Sequence, residues 1–185
     1  MSAGELEKRQ KALAQKVQRE IFRIPEYSAF DAVNFQIEGT NKVVLLGYAF
    51  QPTVKSGVER IVQRIEEVEE VENRIEVLPV SGNDDQIRAQ TYAAIYGHPA
   101  MRRYVPGAGF SSRDVENFLR DLQFGLQAAQ ITRGPHNIHI IVKNGNVALV
   151  GVVGGEMHKQ IAEHQARSVP GAFSVENYLQ VSKAN

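Results

Sequence analysis

The sequence predicts an α+β protein built as two tandem small α/β sandwiches, each ordered helix–strand–strand–helix–strand, with a helical insertion in the second. Three observations predict it. The segment VENRIEV at Val71–Val77 returns as VENYLQV at Val175–Val181, an offset of 175 − 71 = 104. The segment VVLLG at Val43–Gly47 returns at the same offset as VALVG at Val147–Gly151. Ahead of each pair a helical apolar pattern gives way to an alternating one, so the repeating object is a domain and not a short solenoid unit.

The first copy occupies residues 1–79. Leu13, Val17 and Ile21 recur every four residues and mark an amphipathic helix that ends before Pro25. Val33, Phe35 and Ile37 alternate, as in a strand with one buried face. Gly39-Thr40-Asn41 reads as a turn. The apolar run from Val43 to Phe50 predicts a returning strand in a central position. Val58, Ile61, Val62, Ile65 and Val68 follow helical spacing, and Ile75 and Val77 fall in the last strand. Between them, Glu72-Asn73 is expected to set the helix-to-strand turn, because Asn bonds its own backbone well.

The second copy occupies residues 80–185, after the short linker Pro79–Asn83. Asn83 or Asp84 is the expected N-cap of a helix running to Tyr96, with Gly97 at its end. Ile138, Ile140 and Val142 alternate, Asn144-Gly145 is a hairpin signal, and Val147–Val153 returns. A helix over 156–168 and a strand over 175–181 complete the copy, with Glu176-Asn177 as the second expected turn. Ile21 and Pro25 match Ile95 and Pro99 at an offset of 74, against 104 later in the chain. The difference, 104 − 74 = 30, is the insertion, at about residues 100–135.

Composition excludes several functions. The chain has 185 residues, no Cys and a formal net charge of zero. Disulfides, thiolate nucleophiles and Cys-ligated zinc are absent. No apolar run is long enough to span a bilayer, and Met1–Gly4 leads into a charged stretch without the apolar core of a signal peptide. Nucleic-acid binding lacks a basic stripe with stacking aromatics. The charge is nevertheless uneven. Residues 1–82 hold 11 Lys/Arg and 13 Asp/Glu, while residues 83–185 hold 10 and 8 together with all five His. An anionic surface therefore prefers the second copy.

The element order, with V-x-L-x-G on the second strand and V-E-N-x-[I/L]-x-V on the last, resembles the BON domain (bacterial OsmY and nodulation). Val43–Gly47, Val147–Gly151 and the two VEN segments carry the resemblance. It implies a protein of the bacterial envelope, periplasmic or lipid-anchored, linked to osmotic stress and membrane integrity; a cytoplasmic location is the alternative left by the residues alone. It further implies phospholipid or membrane-surface binding, with no catalytic residues and no cofactor. Ile87–Tyr104 is the helix that the resemblance points to as a lipid contact.

The insertion differs most between the copies. Arg102 and Arg103 offer two guanidiniums suited to phosphate, and Tyr104 and Phe110 offer rings suited to a membrane interface. Their bland alternative is a solvated helix end. Beyond them, Val115, Phe118, Leu119, Leu122, Leu126 and Ala129 share one helical face. That face either covers the protein's own sheet or takes a protein partner, an envelope protein or a second copy of the chain. Its polar side mixes Arg113 and Arg120 with Asp114, Glu116 and Asp121, which disfavours simple attraction to anionic lipid.

Enzymatic and metal chemistry find little support. Neither a G-x-S-x-G elbow nor a phosphate-binding G-x-x-x-x-G-K-[ST] loop occurs. His136 and His139 straddle the start of a strand and are expected to point apart. His158 and His164 are six apart on a helix and fall on different faces. No catalytic residue and no metal ligand is assigned.

Overall fold

A computed structural model describes residues 2–106 and 132–183 of the chain. Two compact units form, residues 1–27 with 32–78 and residues 28–31 with 79–185. Each is an α+β unit with helices packed on one small sheet.

In the first unit α1 (Ala3–Ile21) starts at a capping box. Ser2 accepts from Glu5 N, and the Glu5 carboxylate accepts from Ser2 N. Its buried stripe is Leu13, Val17 and Ile21, as the spacing predicts. β1 (Ala32–Glu38) pairs antiparallel with β2 (Lys42–Ala49). β2 is central and runs parallel to β3 (Glu70–Asn73) and β4 (Glu76–Val77). α2 (Pro52–Gln63) buries Val54, Val58 and Val62 against Val43, Leu45 and Ala49. Lys16 pairs with Glu67, and Lys42 is ringed by Glu38, Glu70 and Glu72.

Two details depart from the sequence reading. The helical spacing runs on to Val68, but α2 ends at Gln63. Ile65 and Val68 instead follow in tight turns, through Ile65 N to Val62 O at 3.1 Å and Val68 N to Ile65 O at 2.9 Å. Burial of Ile65 is the same in a turn as in a helix, so periodicity does not separate the two. The last strand is split at Arg74-Ile75. Leu45↔Asn73 and Tyr48↔Glu76 keep one register on both sides, so this is a local gap in pairing and not a slip.

The second unit holds α3 (Gly82–Gly97), a 3-10 helix (Pro99–Tyr104), β5 (Ile138–Lys143), β6 (Asn146–Val153), α4 (Glu156–Arg167) and β7 (Ser174–Val181). β6 is central, antiparallel to β5 and parallel to β7. The hairpin turn has Asn144 at φ 52° and Gly145 at φ 77°, both left-handed as a two-residue turn requires. The first unit uses three residues here, so the offset is 105 before the turn (Val33 to Ile138) and 104 after it.

The N-cap of α3 is Ser81, which accepts from Asp84 N at 3.2 Å, and not Asn83 or Asp84. Asp84 is freed for a different task. It is 1% exposed and accepts from Asn144 N at 2.9 Å and Gly145 N at 2.8 Å, clamping the hairpin turn. Where α2 buries valines, α4 buries only Ala162 and Ala166, and α3 brings in the larger Tyr92 and Tyr96. Residues 28–31 lie along β5: Ile140 N donates to Ala29 O at 2.7 Å, and Ala29 N donates to Thr132 O at 2.8 Å.

The VEN segments lie inside the strands and not at the turns before them. Their Asn bonds its own backbone two residues on, as expected, but its amide also reaches the helix. Asn73 Nδ2 donates to Lys55 O at 3.2 Å and to Glu59 at 3.0 Å, while its Oδ1 accepts from Ile75 N at 3.1 Å. Asn177 repeats all three bonds, to Lys159 O at 3.0 Å, Glu163 at 3.1 Å and Leu179 N at 3.2 Å. The repeated glycines also have a shared cause. Gly47 (φ 102°) and Gly151 (φ 138°) are left-handed, and a Cβ at either would overlap the carbonyl of Ala32 or Asn137.

Candidate functional site

The exposed arginine pair sits where α3 ends. His98 caps the following 3-10 turn, its Nδ1 accepting from Ala100 N at 3.2 Å, and Pro99 starts it. Six residues in 3-10 geometry bring every third side chain to one side. Met101 and Tyr104 turn inward and are buried, while Arg102 and Arg103 are exposed.

The sequence places Tyr104 beside the arginines as a ring suited to a membrane interface. Its ring is instead 7% exposed and ties this turn to the β6–α4 connection. Gly154 N donates to its hydroxyl at 2.7 Å, and the hydroxyl lies 2.9 Å from His158 Nδ1. The hydroxyl therefore bridges the Gly154 amide and the His158 ring. The two rings meet edge-on at 5.4 Å, and the Arg103 guanidinium stands 5.8 Å from the Tyr104 centroid. Tyr104 thus supports the arginine turn and is withdrawn from the lipid-facing set. Phe110, Val115, Phe118, Leu119, Leu122 and Leu126 lie outside the described residues.

A second polar group lies inside this unit. His136 precedes β5 and His139 lies within it, and their rings approach to 6.5 Å where the spacing predicts divergence. The strand starts only at Ile138, so strand alternation does not govern His136. His136 Nε2 is 3.1 Å from the Tyr92 hydroxyl, and its Nδ1 is 2.9 Å from Gly134 O. The neutral ring satisfies both, donating from Nδ1 and accepting at Nε2. Burial pushes its pKa down to about 4. His139 is shifted down for the same reason, and its Nδ1 lies 3.2 Å from Ser28 O. Burial likewise pushes the Tyr92 and Tyr96 phenols up. Tyr96 donates to Ile138 O at 2.8 Å, and Arg88, 1% exposed, donates to Val142 O and Asp85, both at 2.6 Å.

This interior layer consists of neutral or paired groups that hold β5 to α3. Its signal in the sequence was Arg88, Tyr92 and Tyr96 at helical spacing, which reads as polar surface when taken alone. Among the described residues no group of three or more His, Cys, Asp or Glu stands close enough to hold a metal ion. Nor is any described helix long and apolar enough to cross a membrane.

The family model of the BON domain matches two segments of this chain, residues 10–79 and 122–183. No curated protein matches it. Two solved structures of CdsD, a structural protein of the type III secretion system of Chlamydia trachomatis, are similar at 13% identity. One, the C-terminal domain, covers 91% of this chain and 96% of its own with a TM-score of 0.28. The other covers 94% and 93% with a TM-score of 0.29. Superpositions of that quality carry no conclusion about function.

Proposed function

This chain belongs to the BON domain family, and on that premise we propose that it binds the surface of an anionic phospholipid membrane through its second unit, peripherally and without catalysis. Membership in the family suggests an envelope-associated, non-catalytic role in membrane or protein binding. The finer reading rests on one observation. Arg102 and Arg103 are adjacent and exposed on a turn that Tyr104 and Met101 anchor to the core. Guanidiniums take phosphate oxygens in a bidentate fork, and a fixed turn loses less freedom on binding than a loose one. The charge difference between the halves favours the same unit.

Co-sedimentation with vesicles tests this reading. Anionic vesicles should carry the protein down at low salt and release it at high salt, and zwitterionic vesicles should not. Arg102→Ala with Arg103→Ala should abolish the salt-sensitive part. Absence of vesicle binding in the wild type overturns the reading and moves the weight to an envelope protein partner or a second copy of the chain, met through the apolar face of Val115, Phe118, Leu119, Leu122 and Leu126.

A further inference from the structure

We propose that Phe173 and the uncharged loop around it form an apolar contact that enters the interfacial region of a phospholipid bilayer. The proposal rests on the membrane-binding reading and gives it a second, separate point of contact.

The two units serve as controls for each other. In the first, Glu69 N donates to Asn41 O at 2.9 Å; in the second, Phe173 N donates to Gly145 O at 2.8 Å. Donors and acceptors both stand 104 apart (173 − 69 and 145 − 41), so the backbone position is the same. The side chains there are opposite in kind. The first unit has Glu66-Glu67-Val68-Glu69-Glu70, and the second has Pro170-Gly171-Ala172-Phe173-Ser174. Residues 38–42 and 64–70 together carry two basic and five acidic side chains, while residues 143–146 and 168–174 carry Lys143 alone. Where the first unit has an acidic end, the second has one without carboxylates and with an aromatic ring at its tip.

The ring is 85% exposed and yet positioned. It lies against Gly145, where any Cβ would run into it, and the Asp84 carboxylate holds that turn through two amides. Two carboxylates of the first turn of α3 are engaged. Asp84 is buried under the turn, and Asp85 pairs with Arg88. Val80, fully exposed, precedes the Ser81 cap of α3 in the same unit.

An exposed ring on a rigid support gains by leaving water and has little freedom to lose. The change from two basic and five acidic side chains (2 − 5 = −3) to Lys143 alone (+1) removes the repulsion that an anionic surface would exert on the first unit's version of this end. That charge change is what selects a bilayer as the occupant. Phe173 lies near the first turns of α3, since Gly171 faces Ile87 and Asn83, and the arginine pair follows its last turn. A helix of 16 residues separates them by roughly 24 Å. The contacts are therefore distinct points on the unit.

The chain has no Trp, so Phe173→Trp creates a unique reporter. With vesicles of phosphatidylethanolamine and phosphatidylglycerol, its emission should shift to the blue and be quenched by brominated acyl chains. Phe173→Glu, which installs the first unit's own residue, should weaken vesicle binding about tenfold or more. Met157→Ala, which removes another exposed apolar side chain of this unit, should leave binding unchanged. If the wild type binds vesicles but Phe173→Glu binds equally well, or the Trp emission does not move, the proposal falls while the arginine reading stands. If the wild type binds no vesicles, both fall. Emission already blue-shifted without vesicles, and reversed on dilution, places Phe173 in a contact between copies and overturns the bilayer reading.

Discussion

Asn177 donates from its side-chain amide to the Glu163 carboxylate at 3.1 Å, and Asn73 makes the same bond to Glu59 at 3.0 Å. Each Asn uses its side-chain nitrogen to join the last strand to the helix before it and its Oδ1 to hold the backbone two residues on. The bond to Asn177, and then that to Arg167, holds the Glu163 carboxyl below its usual range. Replacing either Asn by Ala removes three bonds and leaves a backbone amide, Ile75 N or Leu179 N, without its side-chain acceptor. Each substitution should cost about 1–3 kcal/mol, read as a shift in the urea midpoint. An unchanged midpoint in both variants would show that the repeated Asn has a role other than this tie.

Gly47 and Gly151 sit at the same place in the two central strands, under the carbonyl of Ala32 in β1 and of Asn137 just before β5. A side chain there meets both a left-handed backbone and a fixed oxygen that cannot swing away. Gly151→Ala should destabilise the second unit by more than about 2 kcal/mol, and Gly47→Ala should do the same to the first. Thermal melts by circular dichroism check this. Wild-type melting of Gly151→Ala would mean that the hairpin relaxes more freely than its geometry implies.

Much of this architecture was legible because duplication prints each landmark twice. The two glycines and the buried face of α1 could be placed from spacing alone, whereas the VEN segments were matched to each other but lie in the strands and not at the turns. The sequence was silent where tertiary contact overrides local pattern. Ser81 displaces Asp84 as the cap because the carboxylate is taken by the hairpin turn. Ile65 keeps helical spacing outside a helix because only its burial matters. Tyr104 reads as an interfacial ring next to two arginines, and only the fold reveals Gly154 and His158 as its partners. Phe173 is an isolated Phe in a Gly-containing loop and has no periodicity; its contrast with Glu69 of the other copy is the signal the sequence carries.

His136 predicts how the second unit responds to acid. Burial holds its folded pKa at about 4, below the ordinary value of about 6.5 in an unfolded chain. Below that ordinary value the unfolded chain takes a proton that the folded one refuses. The contribution of His136 to stability should therefore fall as pH drops from about 6.5 to about 4 and level off below, by on the order of 3 kcal/mol in full. His139, Tyr92 and Tyr96 surround the ring, and His139 is shifted in the same direction. Urea midpoints between neutral pH and about pH 4 should show a shallower fall in His136→Gln than in the wild type. Equal slopes would assign the acid sensitivity to other groups.

Tyr104 offers a test that separates support from contact. Its hydroxyl joins the arginine turn to the start of α4 through Gly154 N at 2.7 Å and His158 Nδ1 at 2.9 Å. Tyr104→Phe keeps the buried ring and removes only that link, leaving the Gly154 amide without its acceptor. The far-ultraviolet spectrum should not change, because Met101 still anchors the turn. Arg102 and Arg103 should become less ordered, and salt-sensitive binding to anionic vesicles should weaken about fivefold, the equivalent of ~1 kcal/mol. The blue shift of a Trp at position 173 should survive in the same background, since that ring rests on a different turn at the other end of α3. Undiminished vesicle binding in Tyr104→Phe would mean that the arginines need no such support, and binding lost together with the Trp shift would mean that the two contacts act as one.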